Sequence, residues 1–296
     1  MMSDTVVVLG GAGLVGSLIS RILMQYGYDV RVVDRRPSEQ ESGFYEVDVT
    51  SPFSNTGHIF QGAVAVVFAL PENVAIRAIP WVVGCVSNDV VFIPTCSVQE
   101  PFYRALKNAS SQQPFVGVNP MFSPKLSVQG RTVAICLEDG DSPSTFIEQH
   151  LMGAGMKIKR MTPAAHDELM ALCQALPHAA ILGFGLALAR SSLDLESALE
   201  VMPPPMRTMM ALLSRVLVNP PEVYWDIQLE NDQANRQRAA LAEGMERLMS
   251  NVSNQNFDEF RRDLQGVSDA LGSRLNPGAV DCQHVFSLLN LSLIHI

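Results

Sequence analysis

The sequence predicts an α/β protein: a doubly wound parallel sheet followed by an all-helical domain. Three observations carry that expectation. Apolar strand-like runs alternate with helical stretches up to about residue 161. A glycine-rich turn joins the first strand to the first helix, and from Thr162 onward the apolar period is helical.

The first strand is Val6–Leu9. Gly11-Ala12-Gly13-Leu14-Val15-Gly16 follows it, then an apolar-faced helix, then a second strand ending on Asp34. A G-x-G-x-x-G run that leaves a strand and opens a helix is the dinucleotide-binding pattern of Rossmann sheets. Gly11 permits the tight turn, Gly13 lets backbone approach a pyrophosphate, and Gly16 lets the helix pack on the strand. Amides at the helix start, Leu14 and Val15, face the phosphates, helped by the helix dipole. Asp34, 18 residues after Gly16, stands where an acid hydrogen-bonds the adenosine ribose. That carboxylate favours NAD, because it repels a 2′-phosphate. Arg35 and Arg36 follow it, either as a solvated pair or as contacts to such a phosphate, so NADP stays open.

Further strands are expected at Phe44–Val47, Ala63–Leu70, Val90–Ile93, Phe115–Val118, Thr132–Leu137 and Lys157–Arg160. Helices are expected from Pro71 to about Val86, around Tyr103–Lys107 and near Ser144–Met152. From Thr162 the helical stretches are Ala165–Ala189, Met206–Leu217, Glu222–Met249 and Phe257–Leu271, with Pro203-Pro204-Pro205 and Pro220-Pro221 breaking between them. Residues 1–161 therefore form the dinucleotide-binding domain and 162–290 a helical substrate and dimerisation domain. The apolar faces of the second half exceed what one small bundle needs and suggest a homodimer interface. A stripe such as Met209, Met210, Leu212 and Leu213 is equally ordinary core. The last six residues, LSLIHI, look like a translated sequencing adapter, and 291–296 are set apart as a non-native tail.

With 47% hydrophobic and 17% charged residues in 296, the chain can bury substantial cores and is not of the disordered class. A net charge of -9 argues against nucleic acid as a partner. Five scattered cysteines without C-x-x-C spacing suggest a reduced, cytoplasmic setting, with neither a zinc site nor a disulfide framework. The first strand starts so early that no signal peptide is expected. No uninterrupted apolar run approaches the roughly 18 residues of a membrane span, so no membrane partner is expected.

Ligands of doubly wound sheets bind beyond the carboxyl ends of the strands. This selects Leu70-Pro71-Glu72, Thr95-Cys96-Ser97 and Asn119-Pro120-Met121-Phe122. These stretches resemble the prephenate dehydrogenase family, whose members oxidise and decarboxylate a cyclohexadienyl diacid with a nicotinamide cofactor on the way to tyrosine. Pro94-Thr95-Cys96-Ser97-Val98-Gln99 is similar to the family's D-x-x-S-x-K strand end, and the run from Val116 to Pro124 to its G-x-H-P-M-F-G-P segment. His166-Asp167 and Gln174-Ala175-Leu176-Pro177-His178 resemble its H-D…S-H-L-P-H stretch, and Ser214-Arg215 with Tyr224-Trp225-Asp226-Ile227 its substrate-arginine helix and the segment beyond. The likeness runs from about Thr5 to Leu271.

The resemblance implies that Ser97 hydrogen-bonds the ring substituent and that Arg215 grips a substrate carboxylate, as a planar guanidinium does through two parallel bonds. It implies that the segment carrying His166, Gln174 and His178 lies at the cofactor and substrate cleft. Without it, Ser97 is equally a helix cap, Arg215 a snorkelling arginine, His166 half of a helix-start pair and His178 a core histidine. Three departures stand out. The family's catalytic histidine is Asn119 here, the S-H that opens its S-H-L-P-H is Gln174-Ala175, and its D and K are Pro94 and Gln99. A carboxamide hydrogen-bonds but is no base near neutral pH. Removing a general base typically costs ~10²–10⁴-fold. If C4 of the substrate carries an amine, its lone pair expels hydride without base assistance, which favours 4-amino-4-deoxyprephenate beside prephenate. The competing classes are a nicotinamide-binding sensor that has lost catalysis and a β-hydroxyacid-type dehydrogenase. The latter is weakened because the lysine such an enzyme needs would come from the helical half, and the nearest lysines, Lys157 and Lys159, lie only at its leading edge, in the strand that precedes it.

Overall fold

Thr5–Leu9 (β1) is buried along its whole length, as a strand covered on both faces must be. In this computed structural model, which describes residues 4–35, 43–52, 55–138, 145–192 and 200–291, β1 lies at the centre of a parallel sheet. Its companions are Asp29–Asp34 (β2), Phe44–Glu46 (β3), Ala63–Phe68 (β4) and Val91–Pro94 (β5), in the order β3-β2-β1-β4-β5. The reversal of strand order beside β1 places the glycine turn at the topological switch point, where such sheets bind ligands.

Leu14–Gln25 (α1), Glu72–Val83 (α2) and Glu100–Ala109 (α3) supply the crossovers. One face of the sheet packs Leu18, Ile19, Ile22 and Leu23 of α1 against Val6 and Val8, and the other packs Ala75, Ala78, Ile79 and Val82 of α2 against Val7 and Val66. The remaining strands, Gly117–Pro120 (β6), Thr132–Cys136 (β7) and Lys157–Met161 (β8), form a second sheet, with Thr145–Gly153 (α4) between β7 and β8. Here the pairing is mixed: β6 runs antiparallel to β7, since the intervening loop carries no crossover helix. A parallel bridge between Phe92 and Phe115 links the two sheets. The strand expected at Phe115–Val118 forms two residues later, which carries Asn119 into its hydrogen-bonded ladder.

By packing, the chain divides into two units. One comprises the residues up to Ala171 together with Leu229–Asp232, and the other Leu172–Gln228 with the residues from Gln233 on. Pro163–Met170 (α5), placed in the helical half by the sequence, thus belongs to the sheet-bearing unit.

Two helices expected to be continuous are interrupted. The run Ala165–Ala189 is α5, a π-turn at Ala171–Ala175, and Leu176–Ala189 (α6). Pro177 supplies no N–H and its ring crowds the carbonyl one turn back, and the widened turn absorbs both. The run Glu222–Met249 divides into Pro221–Leu229 (α8) and Ala234–Ser253 (α9), because Asn231 between them is buried and donates to the Asp167 carbonyl at 2.7 Å. Pro204–Leu217 (α7) and Phe257–Leu271 (α10) form as expected, and a last helix, Leu275–Leu291 (α11), was not expected because Pro277 and Gly278 mask its period. Arg36, Ser144 and the tail residues 292–296 lie outside the described residues.

Counted through its π-turn, Pro163–Ala189 is a run of 27 residues with a mean hydropathy of 1.6 over its most apolar stretch, and it passes by length and composition alone a test for membrane spans that helices of soluble proteins pass as well. None of the residues of α6 is buried within the chain.

Candidate active site

The glycine turn is held more tightly than its fingerprint requires. Gly10 adopts φ +77°, and a Cβ there would lie 2.2 Å from the Ala69 carbonyl oxygen. Only glycine is comfortable in that position, and the fingerprint does not include it. A Cβ on Gly11 would lie 2.7 Å from Val32 Cγ1, and one on Gly16 2.4 Å from the Gly10 carbonyl oxygen, so both spacings are dictated by packing. Gly13 N–H donates to that same carbonyl at 3.0 Å and caps α1, which has no side-chain cap and no acidic residue in its first turn. The opening amides at Leu14 and Val15 are thus left to an anion.

Asp34 is buried at the end of β2 and its Oδ2 accepts the Ala12 N–H at 3.1 Å, joining the acid to the turn. Arg35 is exposed beside it. Leu70 packs against the position a Gly10 Cβ would take, and Pro71 opens α2. Gly11, Gly13, Gly16, Asp34, Leu70 and Pro71 therefore converge on one turn, and these residues fit a dinucleotide.

At the next strand ends a buried polar chain runs through the unit. Glu72 Oε1 accepts the N–H groups of Ser97 (2.7 Å) and Val98 (3.1 Å), fixing the turn after β5. Ser97 does not cap α3; Gln99 holds that place. Asp167 accepts from the backbone N–H of Gln99 and of Glu100, each at 2.8 Å, and its Oδ1 lies 2.7 Å from His166 Nδ1. His166 Nε2 lies 3.0 Å from Asn119 Nδ2. His166 is fully buried, and burial together with the charge of Asp167 pushes the nearby Cys136 thiol up. His166, Asp167, Glu72 and Gln99 are the site residues that sequence reasoning underweighted. The H-D pair was the available signal, but nothing in the chain's order pointed to its contact with Asn119.

In the helical unit, His178 stacks edge-on to Tyr224 at 5.0 Å, and Asn219 Nδ2 donates to the Tyr224 hydroxyl (3.0 Å) and the Arg215 carbonyl (2.6 Å). Arg215 is exposed, and among the described residues no carboxylate pairs with it. Gln174 lies in the π-turn with Oε1 buried and unpartnered.

Burial, then the Arg215 charge, hold the His178 imidazole below its ordinary 6.5. The folded state thus binds fewer protons there than the unfolded one. The resulting stability is complete above 6.5 and is lost as pH falls below it. His178→Gln should flatten this acid-side fall in Tm; an unchanged slope would remove His178 as its source.

Over 275 residues the chain is 36% identical to the 4-amino-4-deoxyprephenate dehydrogenase of Streptomyces pristinaespiralis, covering 91% of this chain and 93% of that one. This chain belongs to the prephenate dehydrogenase family. The family model "Prephenate dehydrogenase, dimerization domain" matches residues 162–266, and that of the "NAD dependent epimerase/dehydratase family" residues 6–75. The T-protein of Enterobacter agglomerans is 27% identical over 77% of this chain and 57% of its own length. Among solved structures, the prephenate dehydrogenase of A. aeolicus in complex with hydroxyphenyl propionate and NAD+ superposes with a TM-score of 0.72 at 16% identity, covering 91% of this chain and 98% of that one. Synechocystis arogenate dehydrogenase gives 0.66 at 18%, covering 90% and 98%. This prephenate dehydrogenase family member is an NAD(P)-dependent dehydrogenase, with a Rossmann sheet followed by helices of the dimerization-domain type.

Proposed function

We propose that this enzyme oxidatively decarboxylates 4-amino-4-deoxyprephenate to the corresponding aromatic 2-oxo acid. The observation that carries the reading is Asn119, a carboxamide where the resemblance implies a basic histidine, in a chain 36% identical to a relative named for that substrate. NAD+ supplies the hydride acceptor when bound, at Gly11, Gly13, Leu14, Val15, Gly16, Asp34, Arg35, Leu70 and Pro71. The amine lone pair at C4 drives hydride departure and leaves an iminium. The carboxylate at C1 then leaves as CO2, and its bonding pair aromatises the ring and neutralises the nitrogen. Starting from the free-base amine, with the ammonium's proton already released to solvent, no residue needs to remove a proton during hydride transfer. Asn119 orients the amine, Ser97 offers a hydroxyl beside it, Arg215 holds a carboxylate, and Gln174 and His178 line the substrate's end. Prephenate is the second reading, supported by Ser97, which matches the serine implied to bind the ring hydroxyl.

The helical half, residues 162–290, serves as the dimer domain in this proposal and residues 1–161 as the cofactor domain. Leu176–Ala189 is almost wholly apolar yet buries none of its residues, and Phe257, Leu264, Val267 and Leu271 leave an apolar stripe exposed on α10. Faces of this extent call for cover, and a second copy supplies it. Sedimentation at the 32.3 kDa of one chain would overturn this part. Five free cysteines suit a reducing cytoplasm.

Absorbance at 340 nm decides the substrate, with NAD+ or NADP+ and either diacid. Turnover of the amino compound is expected. Turnover of prephenate alone would give the second reading, and silence with both, with nicotinamide binding intact, would leave a sensor.

A further inference from the structure

We infer that His166, backed by Asp167, is a positioning residue that fixes the Asn119 carboxamide with its oxygen, rather than its NH2, as the face offered to the substrate's C4 substituent. The inference rests on Asn119 lying at the reacting carbon, as proposed above, but its geometry stands by itself.

The Asp167 carboxylate is anchored by the backbone N–H groups of Gln99 and Glu100, and its Oδ1 also faces His166 Nδ1 at 2.7 Å. A carboxylate held by donors can only accept, so Nδ1 carries the proton. In a neutral imidazole with that tautomer, Nε2 is an acceptor. Its partner at 3.0 Å must then be a donor, and the Asn119 NH2 is one. Among the described residues His166 is the sole side-chain hydrogen-bond partner of Asn119, so this bond decides which way the amide faces. Asn119 is 4% exposed and His166 0%, so water does not compete effectively for the bond.

The orientation has a chemical consequence. An amide oxygen accepts an N–H from the substrate amine, which raises electron density on nitrogen and leaves its lone pair free to expel hydride. An amide NH2 turned the other way would donate into that lone pair and oppose the step. The Asp167–His166 pair thus makes the asparagine a permanent acceptor. It discriminates between right and wrong hydrogen-bond polarity in the transition state, without transferring a proton.

Two readouts test this. Long-range 15N correlation spectra of the purified full chain should show His166 as the neutral tautomer protonated at Nδ1; protonation at Nε2, alone or with Nδ1, would overturn the inference whatever the substrate proves to be. In turnover of whichever diacid the enzyme accepts, His166→Leu should lower kcat on the order of 10–100-fold, with the KM for NAD+ unchanged. His166→Gln, which can keep an acceptor for the Asn119 NH2, should recover most of that loss. Equal losses in both variants at comparable Tm, or no loss in His166→Leu, would also overturn it. Silence of the wild-type enzyme with the amino substrate would instead overturn the substrate reading and leave the tautomer measurement to decide this one.

Discussion

Asn119→His is expected to raise prephenate turnover by about 10²–10⁴-fold, the span a general base typically contributes. Asn119 sits in the β6 ladder opposite Ala134, so the backbone that carries the new imidazole is already fixed. The hydroxyl of prephenate is a far weaker electron donor than an amine, and its proton must begin to leave as hydride departs. An imidazole takes that proton and a carboxamide does not. The amino substrate should gain nothing, because its lone pair already does this work. The comparison is of kcat with both diacids in both proteins. No gain with prephenate would place the base elsewhere; an equal gain with both would mean that position 119 does not sense the C4 substituent.

Arg215→Ala should raise the KM for the diacid by about 10–150-fold, the worth of a charge-assisted hydrogen-bonded pair of about 1.5–3 kcal/mol. The KM for NAD+ should stay nearly constant, since the dinucleotide residues belong to the sheet-bearing unit and Arg215 to the helical one. Removing this exposed guanidinium leaves no buried partner uncompensated, so Tm should hardly change. Arg215→Lys should fall between the two, because an ammonium keeps the charge but not the planar pair of donors. Matching losses for cofactor and diacid would count against the assigned role.

The strand, glycine turn, helix and acid from Val6 to Asp34 were legible because they are local: each depends on residues a few positions apart, and the glycines at 11 and 16 are a direct record of which Cβ atoms the turn excludes. The departures at Asn119, Gln174 and Gln99 were equally plain, since a substitution in a motif needs no fold to be seen. Other features are properties of contacts between distant segments. The antiparallel turn of β6 onto β7 depends on pairing, the break between α8 and α9 on an asparagine that reaches Asp167, and the fit of Gly10 on the Ala69 carbonyl.

The sequence by itself determined a Rossmann-type sheet, a helical second half and a carboxamide at the position where the family resemblance implies a basic histidine, because propensity, period and residue chemistry are written locally. Only the tertiary structure decided what that carboxamide faces. Asn119 and His166 are 47 positions apart, and Asp167 and Gln99 are 68 apart. Burial brings them into one hydrogen-bonded chain and removes the water that would otherwise satisfy each of them separately.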